Sequence, residues 1–301
     1  MFPADGISSY TKGVETMNSH IMRSIITTGA MLLLVMGGLI SCSDSNTTGT
    51  DMETGTLRLV LVDAPADMEG VESLVIVFDK ILIHRGSGEE DPVDGWITVL
   101  YDTLPVEQRT FDLMELVNGD FGFLCDKVLV TGTYTQIRIM LESATLVVDG
   151  EPQNLTIPSA DQTGIKLVGS FKVDPNVITE YTLDFDVAKS LHEAPPGSGD
   201  YILRPTIRLV QTTLSGTISG TVHPAGIATV IYAMKPATVD TVAATLVDPV
   251  TGEYVLQALL AGMYDVRASA VGYVDSTRTG IAVTAGVNTP NVDFELIPSG
   301  I

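Results

Sequence analysis

The feature that most restricts this chain is a succession of short segments in which apolar side chains recur at every second position. Leu57, Leu59 and Leu61 alternate, as do Leu74, Ile76 and Phe78, and the second run continues through Ile81 and Ile83. Thr135, Ile137, Ile139 and Leu141 follow the same rule, and so do Leu183, Phe185 and Val187. A period of two places alternate side chains on one face of an extended strand, so each segment reads as a strand with one buried face. Turn-forming Gly, Asn, Asp and Pro separate the segments, and no long 3.6-residue period interrupts them. The best short-helix candidate is 111–117 (FDLMELV), stopped by Asn118-Gly119. Many short strands between turns predict an all-β protein of antiparallel sandwiches or barrels.

Composition changes after Gln211. Residues 214–296 are rich in Gly, Ala, Thr and Val and poor in Lys and Glu, yet strand signals persist there, as in Ile218, Gly220 and Val222. The pattern predicts two antiparallel β-sandwich domains in tandem. The first spans 56–211, and the second, a small seven-stranded sandwich, spans 213–298. Within the first, Asp184 and Asp186 face away from Leu183, Phe185 and Val187, which predicts a solvated face or carboxylates capping nearby amides. The loop 86–95 (GSGEEDPVDG) is an acidic, turn-rich insertion carrying Glu89, Glu90, Asp91 and Asp94.

The N-terminus has a different grammar. Residues 1–20 show no apolar core, and translation could start at Met17 or Met22. Arg23 then precedes an uncharged apolar run over 25–40, the length of a secretory signal and short of the roughly 20 residues of a membrane span. The run ends in Leu39-Ile40-Ser41-Cys42, which resembles the lipobox of bacterial lipoproteins. That resemblance implies a signal peptide over 1–41, cleavage after Ser41 and a lipid on the Cys42 thiol. An uncleaved anchor and an ordinary signal peptide are the competing readings. Mature lipoproteins carry more than one acyl chain, which is what stable attachment requires. Ser43 after the cysteine favours the outer membrane under the enterobacterial sorting rule. The polar stretch 42–55 then reads as a flexible tether between lipid and body.

Charge narrows the partners. The chain carries a net charge of −21, and the charged residues of the signal segment (Asp5, Lys12, Glu15, Arg23) cancel. So acidic a surface repels phosphate backbones, which argues against nucleic-acid binding, and leaves membrane attachment to the lipid. With Cys42 lipidated, Cys125 has no intramolecular partner for a disulfide and reads as a half-buried structural thiol in the apolar stretch 121–125.

Two family resemblances add to this reading. Leu61-Val62-Asp63-Ala64-Pro65, Trp96, Phe111-Asp112-Leu113 with Leu116 and Asn118-Gly119, and 132–138 (GTYTQIR) recur in order and spacing. So do Pro158-Ser159, 163–166 (TGIK), 183–187 (LDFDV) with Ser190, and 201–205 (YILRP). Over about 55–210 they resemble the exported proteins grouped as domain of unknown function 4382, which commonly follow a lipoprotein signal. In the second region, 218–222 (ISGTV), 252–256 (GEYVL), 259–266 (LLAGMYDV), Gly272-Tyr273, Val283, Gly286 and 294–296 (FEL) resemble the carboxypeptidase regulatory-like, transthyretin-like sandwich. Met263 departs from the small or polar turn residue commoner there. That resemblance implies an accessory module, a spacer or docking domain grouped with carbohydrate-binding-like folds, without peptidase activity. Gly252 is expected in a tight turn, and Gly262 in a sharp hairpin that lets Tyr264 pack inward.

A search for chemistry yields few groups. His84, His192 and His223 lie on separate segments, and His192-Glu193 runs into Ala194-Pro195-Pro196 rather than a zinc-binding helix. No Gly-x-Ser-x-Gly elbow, phosphate loop or Cys-x-x-Cys pair occurs. Asp63, Asp184 and Asp186 could together offer oxygen ligands to a calcium ion, but no Asp-x-Asp-x-Asp-Gly loop accompanies them. Trp96 could stack on a sugar, though a core aromatic near a strand start is the more ordinary role. The expectation is a non-catalytic, membrane-anchored surface lipoprotein of the cell envelope that needs no cofactor and acts as a binding module, with a glycan or matrix as the favoured partner. A scaffold role beside an envelope protein partner is the alternative. A hydrolase using carboxylates such as Asp184 and Asp186 is the second.

Overall fold

The computed structural model describes residues 52–64, 70–86, 95–158 and 164–300. Cys42, most of the expected tether and the acidic loop residues Glu89, Glu90, Asp91 and Asp94 lie outside them, as do Pro65, Ser159 and Thr163. Among the described residues, strands dominate and no helix is long and apolar enough to cross a membrane.

The first region supplies β1 (Thr54–Ala64), β2 (Val71–Arg85), β3 (Trp96–Leu100), β4 (Thr110–Asp112), β5 (Gly122–Val130) and β6 (Gly132–Val148). It continues with β7 (Glu151–Asn154), β8 (Ile165–Val173), β9 (Ile178–Asp186), β10 (Leu191–Glu193), β11 (Tyr201–Leu203) and β12 (Ile207–Gln211). Two sheets face each other. One has the order β12-β9-β1-β5, and the other runs β3-β2-β6-β7, with β4 also on β2 and β8 also on β6. Among the described residues the strands of these two sheets pair antiparallel except β1 and β9, which run parallel from Thr56↔Ile178 to Ala64↔Asp186. A parallel neighbour needs a long crossover, here the whole second sheet.

The alternation of the sequence becomes the core. Leu57, Leu59 and Leu61 of β1 meet Ile76, Phe78 and Ile137 of the opposite sheet, all buried in one cluster. The buried set on β2 switches from even to odd positions after Phe78 because the register shifts between Phe78 and Lys80, which leaves Asp79 without a partner position on β6. One extra residue in a strand turns the following side chains over, and this is what keeps Ile81 and Ile83 inside. Tyr134, Phe171 and Tyr181 close one end of the core with ring centroids 5.4 and 5.5 Å apart. The Tyr181 hydroxyl accepts from the Lys172 amide at 2.9 Å and donates to the Lys172 carbonyl at 3.0 Å. The helix expected over 111–117 is instead β4 followed by a single 3-10 turn, Leu113–Glu115. Phe111 pairs with Ile76 on β2, and Asp112 caps the turn through the Met114 amide. A strand slot on β2 thus outcompetes a segment too short to stabilise a helix on its own.

The second region comprises β13 (Ser215–His223), β14 (Thr229–Met234), β15 (Thr241–Leu246), β16 (Glu253–Leu260) and β17 (Gly262–Ala270). The short β18 (Tyr273–Val274), then β19 (Ser276–Val283), β20 (Asn288–Thr289), β21 (Phe294–Glu295) and β22 (Ile297–Pro298) complete it. One sheet is β16-β13-β20 with β21 also on β13, and the other is β15-β14-β17-β19. β20 and β21 both run parallel to β13 and are two pieces of one edge, parted by Pro290 and by Asn291 at φ 63°. Ile218, Tyr254, Leu256, Val266 and Phe294 fill the space between the sheets. Gly252 takes φ 76°, and a Cβ there would lie 2.6 Å from the Val222 carbonyl oxygen, so the turn requires glycine. Gly262 is different. Its φ is not positive and a Cβ there would have its nearest neighbour at 3.9 Å, so the hairpin does not depend on it, although Tyr264 does pack inward.

The two sandwiches pack within one compact unit. The sheet β12-β9-β1-β5 turns its second face toward the second sandwich, where Val62, Val210 and Ala258 form a small buried cluster. Beside it, the Asn118 turn covers the open edge of β16. The Asn118 side-chain oxygen accepts from the Val255 amide at 3.1 Å, and the Asn118 amide donates to the Thr245 hydroxyl at 3.2 Å. Gln257 adds a bond to the Asp120 carbonyl at 3.3 Å. An uncovered strand edge is a row of unmet backbone groups, and this turn satisfies part of it. Asn118 sits at φ 57°, which glycine also tolerates. Asn118→Gly should therefore keep the turn, lose about 1–3 kcal/mol of stability and speed hydrogen exchange at the Val255 amide. Unchanged exchange at Val255 would show that the contact holds nothing.

Candidate functional site

The three carboxylates singled out from sequence are all buried, and they do not converge. In the parallel register Asp63 stands opposite Phe185, whereas Asp184 stands opposite Val62 and Asp186 opposite Ala64. Paired residues share a face, so Asp63 points with Leu61 and Phe185 toward the first core. Asp184 and Asp186 point the other way, toward the second sandwich. The calcium site that would need all three is not assembled. Among the described residues no group of three or more His, Cys, Asp or Glu side chains could hold a metal ion.

The expected solvated face is also corrected, because Asp184 is only 3% exposed. The second sandwich covers that face, which one strand's alternation cannot reveal. Asp184 forms an ion pair with Arg208, its antiparallel neighbour on β12. Asp186 does what the capping alternative predicted. One of its oxygens accepts from the Lys189 amide at 3.0 Å at the start of the short helix Val187–Ser190, and the other takes the Lys189 ammonium at 2.7 Å. Burial raises the Asp184 carboxyl above its ordinary range, and the Arg208 charge opposes this without overcoming it. A carboxyl raised on folding contributes its stability below its unfolded pKa of about 3.9 and loses it as pH rises above that value. Arg208→Ala would leave the acid buried and unpaired, at a cost of about 3–5 kcal/mol at pH 7. That cost should shrink as pH falls toward about 4, where the carboxyl takes up a proton in both states. Urea unfolding at the two pH values measures it, and equal losses would contradict this account of Asp184.

Trp96 is not a core aromatic. It pairs with His84 on β2, and since Ile83 faces the core, both lie on the outer face of the second sheet. The Arg138 guanidinium stands 4.2 Å from the centre of the indole ring, and the His84 ring lies edge-on at 5.0 Å. The indole is thus half-buried under a cation rather than open for stacking.

A different aromatic group is open. Tyr101, just beyond β3, is 42% exposed, and Phe123 on the edge strand β5 is 50% exposed. They line a groove of about 580 Å³ with Leu104, Glu107, Gln108 and Lys127. Its wall is fixed by Arg109, whose guanidinium donates to the carbonyls of Leu104 at 3.2 Å and Phe78 at 2.6 Å and meets the Glu142 carboxylate at 2.5 Å. Its floor is fixed by Phe111, which packs edge-on against Phe78 with centroids 5.8 Å apart. The Phe111 ring reaches the β5 backbone only because residue 122 is glycine, since a Cβ there would lie 2.6 Å from the ring. Arg58 donates to both Asp126 oxygens, at 2.8 and 2.7 Å, which holds that carboxyl below its ordinary range and leaves the guanidinium 5.8 Å from the Phe123 ring centre. The Lys127 ammonium reaches the Tyr101 hydroxyl at 3.1 Å. Cys125, on the groove floor, is buried rather than half-buried, and burial pushes its thiol up to about 12. It is inert at neutral pH. Sequence reading passed over this groove. The available signal was Phe123 within the apolar stretch 121–125, whose ring stays exposed while Leu124 beside it enters the core.

No curated protein sequence matches the chain. Among solved structures it is similar to the Bacillus anthracis TIE protein, at 11% identity and TM-score 0.20, over 81% of this chain and 33% of that one. It is similar to GBS52, the minor pilin of Streptococcus agalactiae, at 8% identity and TM-score 0.21, over 81% and 98% of the two chains. The shaft pilin SpaA from Lactobacillus rhamnosus GG aligns at 10% identity and TM-score 0.21, over 82% and 99%. The chain thus spans about a third of the TIE protein's length. Superpositions this loose carry nothing about function. The profile of the family described as "Domain of unknown function (DUF4382)" matches residues 54–205, which takes in every strand from β1 to β11. That is half of the sequence and agrees with the resemblance carried by its motifs, and the chain belongs to the DUF4382 family.

Proposed function

We propose that this protein is an exported, lipid-anchored, non-catalytic binding protein of the cell envelope, and that its first sandwich takes a glycan in the groove beside β5. The observation that carries the reading is the pair of half-exposed rings, Tyr101 and Phe123, flanked by Glu107, Gln108 and Lys127. Sugar rings present apolar C–H faces that pack on aromatic rings, and hydroxyls around their rim that pair with carboxylate, amide and ammonium groups. The groove offers both on a rigid floor, and its volume falls within the range of small-ligand sites. The carboxylate hydrolase reading has weaker support, because Asp184 and Asp186 are engaged by Arg208 and Lys189 under the second sandwich. The second sandwich serves in this proposal as a spacer or docking module, as its transthyretin-like motifs imply.

A glycan array probed with the full chain tests the binding. A subset of glycans should bind, and Tyr101→Ala and Phe123→Ala should each weaken that binding about tenfold, whereas Trp96→Ala should leave it unchanged. Uniform silence of the array would sink the proposal and favour the scaffold role, to which the Asn118 lock between sandwiches lends rigidity. A constant protein partner captured by cross-linking in cells would then be expected.

The anchor is assigned to Cys42 through its lipobox. Cells fed a palmitate analogue should label the wild-type chain and not Cys42→Ala, and equal labelling would overturn the anchor.

A further inference from the structure

A second cleft, of about 670 Å³, shares no lining residue with the aromatic groove. It opens where β12 and the short helix after β9 meet the tips of two hairpins of the second sandwich, β14–β15 and β16–β17. Three cations line it: Lys189, Arg208 and Lys235. The whole chain holds 16 Lys and Arg against 37 Asp and Glu, so three cations in one cleft are a local enrichment, balanced one for one by Asp184, Asp186 and Asp240.

Two of these cations are held in place. Arg208 is fixed by buried Asp184, and Lys189 by Asp186 at 2.7 Å and by the Thr241 carbonyl at 3.1 Å. A held cation loses little conformational freedom when an anion arrives, so more of the attraction is available for binding. The planar guanidinium fork also matches a carboxylate better than it matches a diffuse charge. Beside the cations stand apolar side chains open to solvent: Leu260 is 48% exposed and Met263 52%. Val239 on the neighbouring hairpin loop is exposed as well. Asp240 shares the rim with Lys235, and this acid opposes multiply charged anions more than singly charged ones.

We infer that this cleft binds a small amphiphilic monocarboxylate, its head on Arg208 and Lys235 and its hydrocarbon tail along Leu260 and Met263. The cations select the head, and the exposed apolar wall gains by covering the tail. Neither part suffices alone, so both a short hydrophilic acid and an uncharged amphiphile should bind poorly.

Isothermal titration of the full chain with hexanoate, acetate and hexan-1-ol tests this. Hexanoate should bind saturably, with acetate and hexan-1-ol each at least tenfold weaker. Lys235→Glu and Met263→Asp should each weaken hexanoate at least tenfold. Both positions are exposed, so the unfolding midpoint should stay where it is, separating lost binding from lost folding. Equal binding of hexanoate and hexan-1-ol, hexanoate binding untouched by either variant, or no saturable binding at all would each overturn the inference. Because the cleft and the groove share no lining residue, none of these results depends on the glycan reading.

Discussion

The central strands β1 and β9 of the sheet β12-β9-β1-β5 are covered on both faces from Leu59 to Asp63 and from Tyr181 to Asp186, and most of the architecture depends on this. The sheet's Leu57, Leu59, Leu61, Leu183 and Phe185 face the core of the first sandwich. Its Val62 and Val210 meet Ala258 of the second. Strands with both faces covered lose the apolar-polar alternation of a half-buried sheet, and β9 is accordingly buried at every position from Tyr181 to Asp186. The parallel β1–β9 pair at its centre carries the contacts of both sandwiches at once.

Covering that second face created a polar problem. Asp184 and Asp186 lie where a single-domain sandwich would show water, and an unpaired buried carboxylate costs several kcal/mol. The fold meets the cost locally, with Arg208 one strand away and Lys189 one helical turn away. These partners are half-solvated, with side-chain exposures of 32% for Arg208 and 52% for Lys189. The acids are thus buried at the junction while their counter-charges reach its surface. The cationic lining of the interdomain cleft is a consequence of how the sheet was covered.

The fold was legible in the sequence to the extent that it is local. Period-two runs located β1, β2, β6 and β9, whereas the register shift at Asp79 emerged only from the pairing of β2 with β6. The helix expected at 111–117 failed because a pairing slot on distant β2 was available to Phe111. The site was less legible. Trp96 carried the right chemistry in the wrong place, since Arg138 comes from a strand 42 positions later and covers its ring. Tyr101, Phe123 and Glu107 reach one groove through three separate elements, and no spacing along the chain announces that meeting.

Sequence alone determined the all-β class, the turn at Gly252, the membership carried by motifs from Leu61 to Pro205, and the direction in which each side chain leaves its strand. These depend on a residue and its near neighbours, through the geometry of the pleat and the conformations open to glycine. Tertiary structure decided which faces meet water. It placed Asp63 on one side of its sheet and Asp184 on the other, set the second sandwich over the latter, and left Tyr101 and Phe123 open. The physical reason is that alternation states which residues share a face, while burial of that face depends on what packs against it, and here the covering element lies up to 200 residues further along the chain.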